Sequence, residues 1–250
     1  MLPPDVVQKV HNAVCAVGYL TVPLEEWREE PGAYPLQVCG SGFLVRPATV
    51  ITNKHVIDRL LQEAHEYAIP ESQLFISFIA PTQLPSSLGT VRMIRRRVGV
   101  ESGRIDIALI EIKGEPQAHF QDIDPLPIAD SPQVQVSEAI FVCGYPYGNK
   151  LLEKGGKVYR YGPILQRGYV SGLSPFTGAE YPDEILLDVR TADKMSGSPV
   201  LRSATSEVIG IHHEGTIDSR GIATTSFAIP LTRDRVQSWL TEFDEAAAVD

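Results

Sequence analysis

The amino-acid sequence predicts an all-β fold, a sandwich or barrel rather than alternating βαβ units. Three observations carry this. Short apolar runs, rich in Val and Ile, recur along most of the chain. They are punctuated by many of its 20 glycines and 19 prolines, which mark close turns. Several runs alternate partly with polar residues, as in Ile185-Leu186-Leu187-Asp188-Val189-Arg190, the period of a half-buried strand.

The strand segments, in order, are 36–46, 49–52, 74–80, 90–99, 106–112, 138–143, 165–172, 185–190, 199–202, 207–213 and 222–229. Three segments read as helix. Residues 4–16 place Val6, Val7, Val10 and Val14 at helical spacing, and residues 56–67 form a short stretch after His55. Residues 233–246 follow Pro230; Thr232 stands at the N-cap, and Val236, Trp239, Leu240 and Phe243 make an apolar stripe suited to packing on a barrel. Segment 81–90 reads as a loop. The Pro- and Asp-rich segment 113–137 reads as a linker between two strand-rich halves, and the tail EAAAVD as a fraying end or the start of a linker.

The formal net charge is −9. It argues against nucleic acid or an anionic membrane as partner, since both demand a basic surface. Three cysteines, Cys15, Cys39 and Cys143, do not make a disulfide framework. The N-terminal residues lack the basic start and apolar run of a secretory signal, and no stretch nears the roughly 18 apolar residues of a membrane span. The expected location is cytoplasmic, in a reducing compartment.

Three local sequences carry chemistry. One is Gly40-Ser41-Gly42-Phe43-Leu44-Val45, followed by Val50-Ile51-Thr52-Asn53-Lys54-His55-Val56-Ile57. The others are Arg104-Ile105-Asp106-Ile107-Ala108-Leu109-Ile110 and Lys194-Met195-Ser196-Gly197-Ser198-Pro199-Val200. A lone His, Asp or Ser is ordinarily structural. His55, Asp106 and Ser196 in this order, each at a strand edge, match an acyl-transfer constellation. A serine hydroxyl is a poor nucleophile and needs an adjacent imidazole, which titrates in the right range. The imidazole needs a carboxylate to set its tautomer. Small residues around the serine let the backbone turn and aim N–H groups at a developing oxyanion.

Together these segments resemble the chymotrypsin-fold serine proteases, most of all the disulfide-poor bacterial branch of HtrA (Deg) proteases and glutamyl endopeptidases. Thr52-Asn53-Lys54-His55-Val56-Ile57 is close to the HtrA pattern. Val142-Cys143-Gly144-Tyr145-Pro146-Tyr147-Gly148, Gly168-Tyr169-Val170-Ser171-Gly172, Val208-Ile209-Gly210-Ile211-His212 and Ser226-Phe227-Ala228-Ile229-Pro230 resemble later elements of that family. The similarity spans roughly residues 36–240.

The resemblance implies two six-stranded antiparallel β-barrels with a C-terminal helix and the active site between the barrels. The corresponding division is 1–35 helix and lead-in, 36–115 first barrel, 116–137 inter-barrel linker, 138–231 second barrel and 232–250 helix and tail. It also implies an endopeptidase working through an acyl-enzyme. His55 and Asp106 would come from the first barrel and Ser196 from the second, and the backbone N–H groups of Lys194 and Ser196 would form the oxyanion hole. No cofactor or metal is implied; none of the six histidines pairs at metalloprotease spacing.

Two departures stand out. Lys194 occupies a position where the family usually has Gly. It either weakens the hole or leaves it misformed until a substrate or partner binds. Met195 replaces the Asp of trypsin-like enzymes, and the trypsin-type activation site is missing. Control is therefore expected from an activating protein partner, fused domains or narrow specificity. The chain ends too soon after the last helix for the PDZ domain of many HtrA proteins. A catalytically weak, protease-like binding or scaffold module is the competing reading.

For specificity, Arg190 stands where trypsin-like enzymes carry Asp, which disfavours basic residues before the cut. Thr191 and His212 resemble the pocket of the glutamyl endopeptidases and of picornavirus-type cysteine proteases, which prefer Glu or Gln. A His and a Thr hydroxyl can hydrogen-bond a carboxylate or carboxamide, with Arg190 adding charge. The alternative has His212 as a strand residue and a pocket for a small apolar side chain. His213 should face the other side of its strand and reads as structural. The run Arg92, Arg95, Arg96 and Arg97 is either a solvated strand face or a dock for an acidic partner.

Overall fold

The computed structural model describes residues 2–23, 26, 36–78, 90–99, 105–112, 123–131, 133–148, 153–154, 157–158, 162–175, 181–217 and 223–247. Most of the expected loop 81–90, the start of the expected linker (113–122), Arg104, His119, Lys150 and the last three residues of the tail lie outside them. So do the side chains of Arg92, Arg96 and Arg97. Arg95 is exposed and pairs with Glu111 at 3.3 Å, as on a solvated strand face.

The first half contains α1 (Pro4–Ala13), β1 (Val14–Leu20), β2 (Leu36–Arg46), β3 (Thr49–Thr52), α2 (Lys54–Glu66), a 3₁₀ turn (Glu71–Gln73), β4 (Leu74–Phe78), β5 (Thr90–Gly99) and β6 (Ala108–Ile112). The second contains β7 (Ala139–Gly144), a small hairpin of β8 (Glu153–Lys154) and β9 (Lys157–Val158), then β10 (Ile164–Ser174), β11 (Glu184–Leu187), β12 (Pro199–Arg202), β13 (Val208–Ile217), β14 (Ala223–Pro230) and α3 (Arg233–Ala247). The strands close into two six-stranded barrels, ordered β1-β2-β3-β6-β5-β4 and β10-β11-β14-β13-β12-β7. Every pairing within them is antiparallel, so the expected fold class is the observed one. No described helix is long and apolar enough to cross a membrane.

The N-terminal element differs from its expectation. The helix read over 4–16 stops at Ala13, and Val14–Leu20 is a strand between β2 and β4. The first barrel therefore begins inside the segment assigned to helix and lead-in. All seven residues of β1 are buried. A strand buried on both faces has no period-two alternation, so Val14 satisfied the helical spacing equally well.

The C-terminal helix joins the two halves. It leaves β14 of the second barrel, yet Val236, Trp239, Leu240 and Phe243 are buried in the same cluster as the first-barrel core. Thr232 Oγ1 accepts from the Arg235 N–H at 3.3 Å, filling the expected N-cap role. Near the helix end, both Arg46 guanidinium nitrogens donate to Asp244, at 2.7 and 2.5 Å, tying it to β2. Phe243→Ala should therefore cost about 3–5 kcal/mol of stability by urea unfolding, against under about 0.5 kcal/mol for its exposed neighbour Glu242→Ala.

Candidate active site

The β3 strand delivers His55 to the cleft. It ends at Thr52, and the fully buried Asn53 follows as N-cap of α2, so His55 lies in the first helical turn. Asn53 Nδ2 donates to the Asp106 carbonyl at 2.8 Å, which holds the segment before β6 against the helix start. The Asp106 carboxylate then takes two bonds from one residue. Oδ1 accepts the His55 backbone N–H at 2.8 Å, and Oδ2 lies 2.5 Å from His55 Nδ1. An ionised carboxylate only accepts, so Nδ1 carries the proton and Nε2 is left as the basic nitrogen. Burial raises the Asp106 pKa, but the bonds from the His55 ring and backbone outweigh it and hold the carboxyl below its ordinary range.

Ser196 lies in the turn between β11 and β12, and a residue of the other barrel shapes that turn. The Ser41 N–H donates to the Ser196 carbonyl (2.8 Å), and Ser41 Oγ donates to the Lys194 carbonyl (2.9 Å). The same hydroxyl accepts from the Tyr145 N–H (3.0 Å), and the Ser41 carbonyl accepts from Thr52 Oγ1 (2.7 Å). Gly197 has φ +91°, and a Cβ there would stand 1.9 Å from the Ser41 carbonyl oxygen. Only glycine fits such a conformation and approach.

Lys194 adopts φ +75°, the left-handed conformation that a side chain disfavours. The turn is formed nonetheless. The Asp193 carbonyl accepts from the Tyr147 N–H at 2.6 Å, and the Met195 carbonyl from the Ser198 N–H at 3.0 Å. In a trans peptide the next N–H points the opposite way. The Lys194 and Ser196 N–H groups thus both turn away from these partners, and neither donates to a described acceptor. The Ser196 hydroxyl donates to the His213 carbonyl at 3.1 Å, so its proton is not directed at His55.

Of the residues expected to set specificity, Thr191 and His212 are buried and Arg190 is exposed. Ser226 Oγ donates to the Val189 carbonyl at 2.7 Å, which makes Thr191 the donor in its 2.7 Å bond to Ser226 Oγ. The His212 backbone brackets the nucleophile turn: its N–H donates to the Ser198 carbonyl (2.9 Å) and its carbonyl accepts from Gly197 (2.8 Å). The residue is 2 % exposed, and neither ring nitrogen has a hydrogen-bond partner among the described residues. Burial first, and then nearby His213, lower its pKa to about 3; the Met195 backbone opposes this without reaching hydrogen-bond geometry. The ring is therefore neutral near pH 7. Arg190, exposed, makes no described ion pair or hydrogen bond.

Three residues were not recognised from sequence. Ser41 and Ser226 lay inside quoted motifs, but nothing local distinguished them from turn and strand serines. His213 sits at a register shift between β13 and β14, which invalidates simple alternation. Its Nε2 lies 3.4 Å from Glu184 Oε1, and it lines with Asp106 a cavity of about 640 Å³. Among the described residues, no group of three or more His, Cys, Asp or Glu could hold a metal ion.

The family model for a trypsin-like peptidase domain matches residues 40–211. Glutamyl endopeptidases of Staphylococcus aureus are 29% identical over 182 residues, which is 70% of this chain; it spans 42% of the protein from strain MRSA252 and 46% of that from strain MW2. The chain thus spans less than half the length of these relatives. Among solved structures, the HtrA-type protease AlgW with a decapeptide superimposes at a TM-score of 0.62 and 15% identity, over 96% of this chain and 67% of that one. At that identity the likeness is one of fold.

Two outcomes follow from the geometry. Ser41→Ala orphans the Tyr145 N–H and the Lys194 carbonyl, and should cost about 1–3 kcal/mol in urea unfolding. The second concerns pH. The unfolded His212 binds a proton below its ordinary pKa of 6.5, while the folded ring resists until about pH 3. The unfolded state thus holds more protons in that window, and stability falls as the pH drops through it. In His212→Leu this part of the pH dependence should be missing when its unfolding curve is compared with that of the wild type.

Proposed function

Since the chain belongs to the trypsin-like peptidase family and is a serine protease, we propose that Ser196 is its nucleophile, His55 its general base and Asp106 the carboxylate that orients the base. The observation that carries this is the pair of bonds from Asp106 to the His55 ring and backbone, which leaves Nε2 free to accept a proton.

The reaction proceeds in two halves. The Ser196 hydroxyl rotates from the His213 carbonyl to His55 Nε2 and gives up its proton as Oγ attacks the substrate carbonyl carbon. The developing oxyanion is held by the Lys194 and Ser196 N–H groups; one such donor is typically worth about 10²–10³ in rate. The C–N bond breaks, and His55 returns the proton to the leaving amine. Water then adds to the acyl ester with His55 as base, the acid leaves, and Ser196 recovers its proton. Neither N–H group donates to a described acceptor, which supports a hole available in the resting chain. The energy of the left-handed Lys194 backbone, about 1–2 kcal/mol, is offset by the Ser41 and Tyr147 bonds around it.

The side chain before the cut is Glu or Gln. The support is a buried imidazole with no hydrogen-bond partner among the described residues; the Thr191 hydroxyl, whose proton goes to Ser226, is left as an acceptor for the amide N–H of Gln. Leaving such a group unsatisfied costs about 1–3 kcal/mol, which a carboxylate or carboxamide ligand would recover. Similarity to glutamyl endopeptidases agrees with this.

A fluorophosphonate probe should label the wild-type protein and not Ser196→Ala. Labelling of neither, or equally of both, would remove Ser196 as nucleophile. In a peptide series differing only before the cut, Glu or Gln should exceed Leu and Lys by at least about 100-fold in kcat/KM. Preference for Leu, Val or Lys would overturn the assignment of Thr191 and His212.

A further inference from the structure

A second cavity, of about 980 Å³, reaches the turn that carries Ser196. Its walls come from β1, β2 and α2 of the first barrel, from Tyr147, and from Asp193 and Lys194, which precede Ser196 by three and two residues. Neither Thr191 nor His212 is among its described lining residues, so it is separate from the pocket assigned to the acyl half and leaves room for the other half of the substrate. Its role therefore rests on the assignment made above.

The chemistry of the walls is specific. Arg59 is already committed: Nε donates to Glu63 at 2.7 Å and Nη1 to Asp193 at 3.3 Å. Lys194 Nζ lies 3.8 Å from Asp193. Two cations are thus balanced by two carboxylates. Glu66 remains, exposed and with no ion pair among the described residues. Beside it are two unusually open aromatic rings, Tyr67 (60%) and Tyr147 (50%). A surplus carboxylate in a cavity also lined by two exposed tyrosines suits a cation, through ion pairing and cation–π contact, and repels an acidic side chain.

We propose that this cavity receives the leaving half of the substrate and selects Lys or Arg within the first two residues after the cut. The protein would then read opposite charges on the two sides of one bond: an acidic or amide side chain before it and a basic one after it.

The test is binding to the full-length Ser196→Ala chain, which does not depend on turnover. Fluorescent tripeptide amides representing only the leaving half would be titrated by polarisation. Lys at the first or second position should bind about tenfold more tightly than Glu at the same position, the sum expected of one exposed ion pair and one cation–π contact. Glu66→Gln combined with Tyr67→Ala should reduce that ratio to below about threefold. The same pair of changes in the wild-type background should leave fluorophosphonate labelling intact, which shows that the chain still folds. Equal binding of Lys and Glu peptides, tighter binding of Glu, or a ratio that survives both substitutions would overturn the proposal. Because the probe reports on Ser196 and the tripeptides on the cavity, the two assignments can fail separately.

Discussion

Ser41 is the contact on which the site depends. It belongs to β2 of the first barrel, yet two of the four hydrogen bonds described above run to the turn that carries Ser196 and a third to the residue after β7. The fourth, from Thr52, fixes it to the strand that delivers His55. One buried residue thus sets the relative position of groups carried by two separate barrels. Buried backbone polar groups must be satisfied, so the turn has little freedom to take another shape. Close packing enforces the same arrangement: a Cβ at Gly144 would stand 1.9 Å from Ser198 Oγ and 2.9 Å from Ser41 Oγ. The C-terminal helix acts at longer range, since it leaves one barrel and buries its apolar stripe in the core of the other.

Two histidines show how environment divides labour. The His55 side chain is 46% exposed and is held by a carboxylate, which suits the base role proposed for it. His212 is buried, has no acidic partner among the described residues and is kept neutral. A neutral ring is a fixed donor and acceptor, which suits recognition. Lys194 makes a comparable point about the backbone. Its φ is one that glycine adopts freely, but bonds from Ser41 and Tyr147 over-determine the surrounding peptides, so the conformation survives a lysine.

The all-β class, most of the strands, the α3 stripe with its Thr232 cap, and the candidates His55, Asp106 and Ser196 were legible in the chain. Each is written in local spacing: strand alternation, helical periodicity, or a short motif whose residue types the chemistry requires. What stayed hidden depends on neighbours remote in sequence. Val14–Leu20 carries no alternation because β2 and β4 cover both its faces. Ser41 meets Lys194 across 153 residues, Thr191 meets Ser226 across 35, and His213 sits at a register shift between two strands. The exposure of Arg190, the burial of His212 and the balance of charges around Glu66 are likewise results of packing. Residue types and their short-range order determined which chemistry this protein can do. Only closure of the two barrels decided which groups meet, because hydrogen bonds and burial act over a few ångströms while their partners lie far apart along the chain.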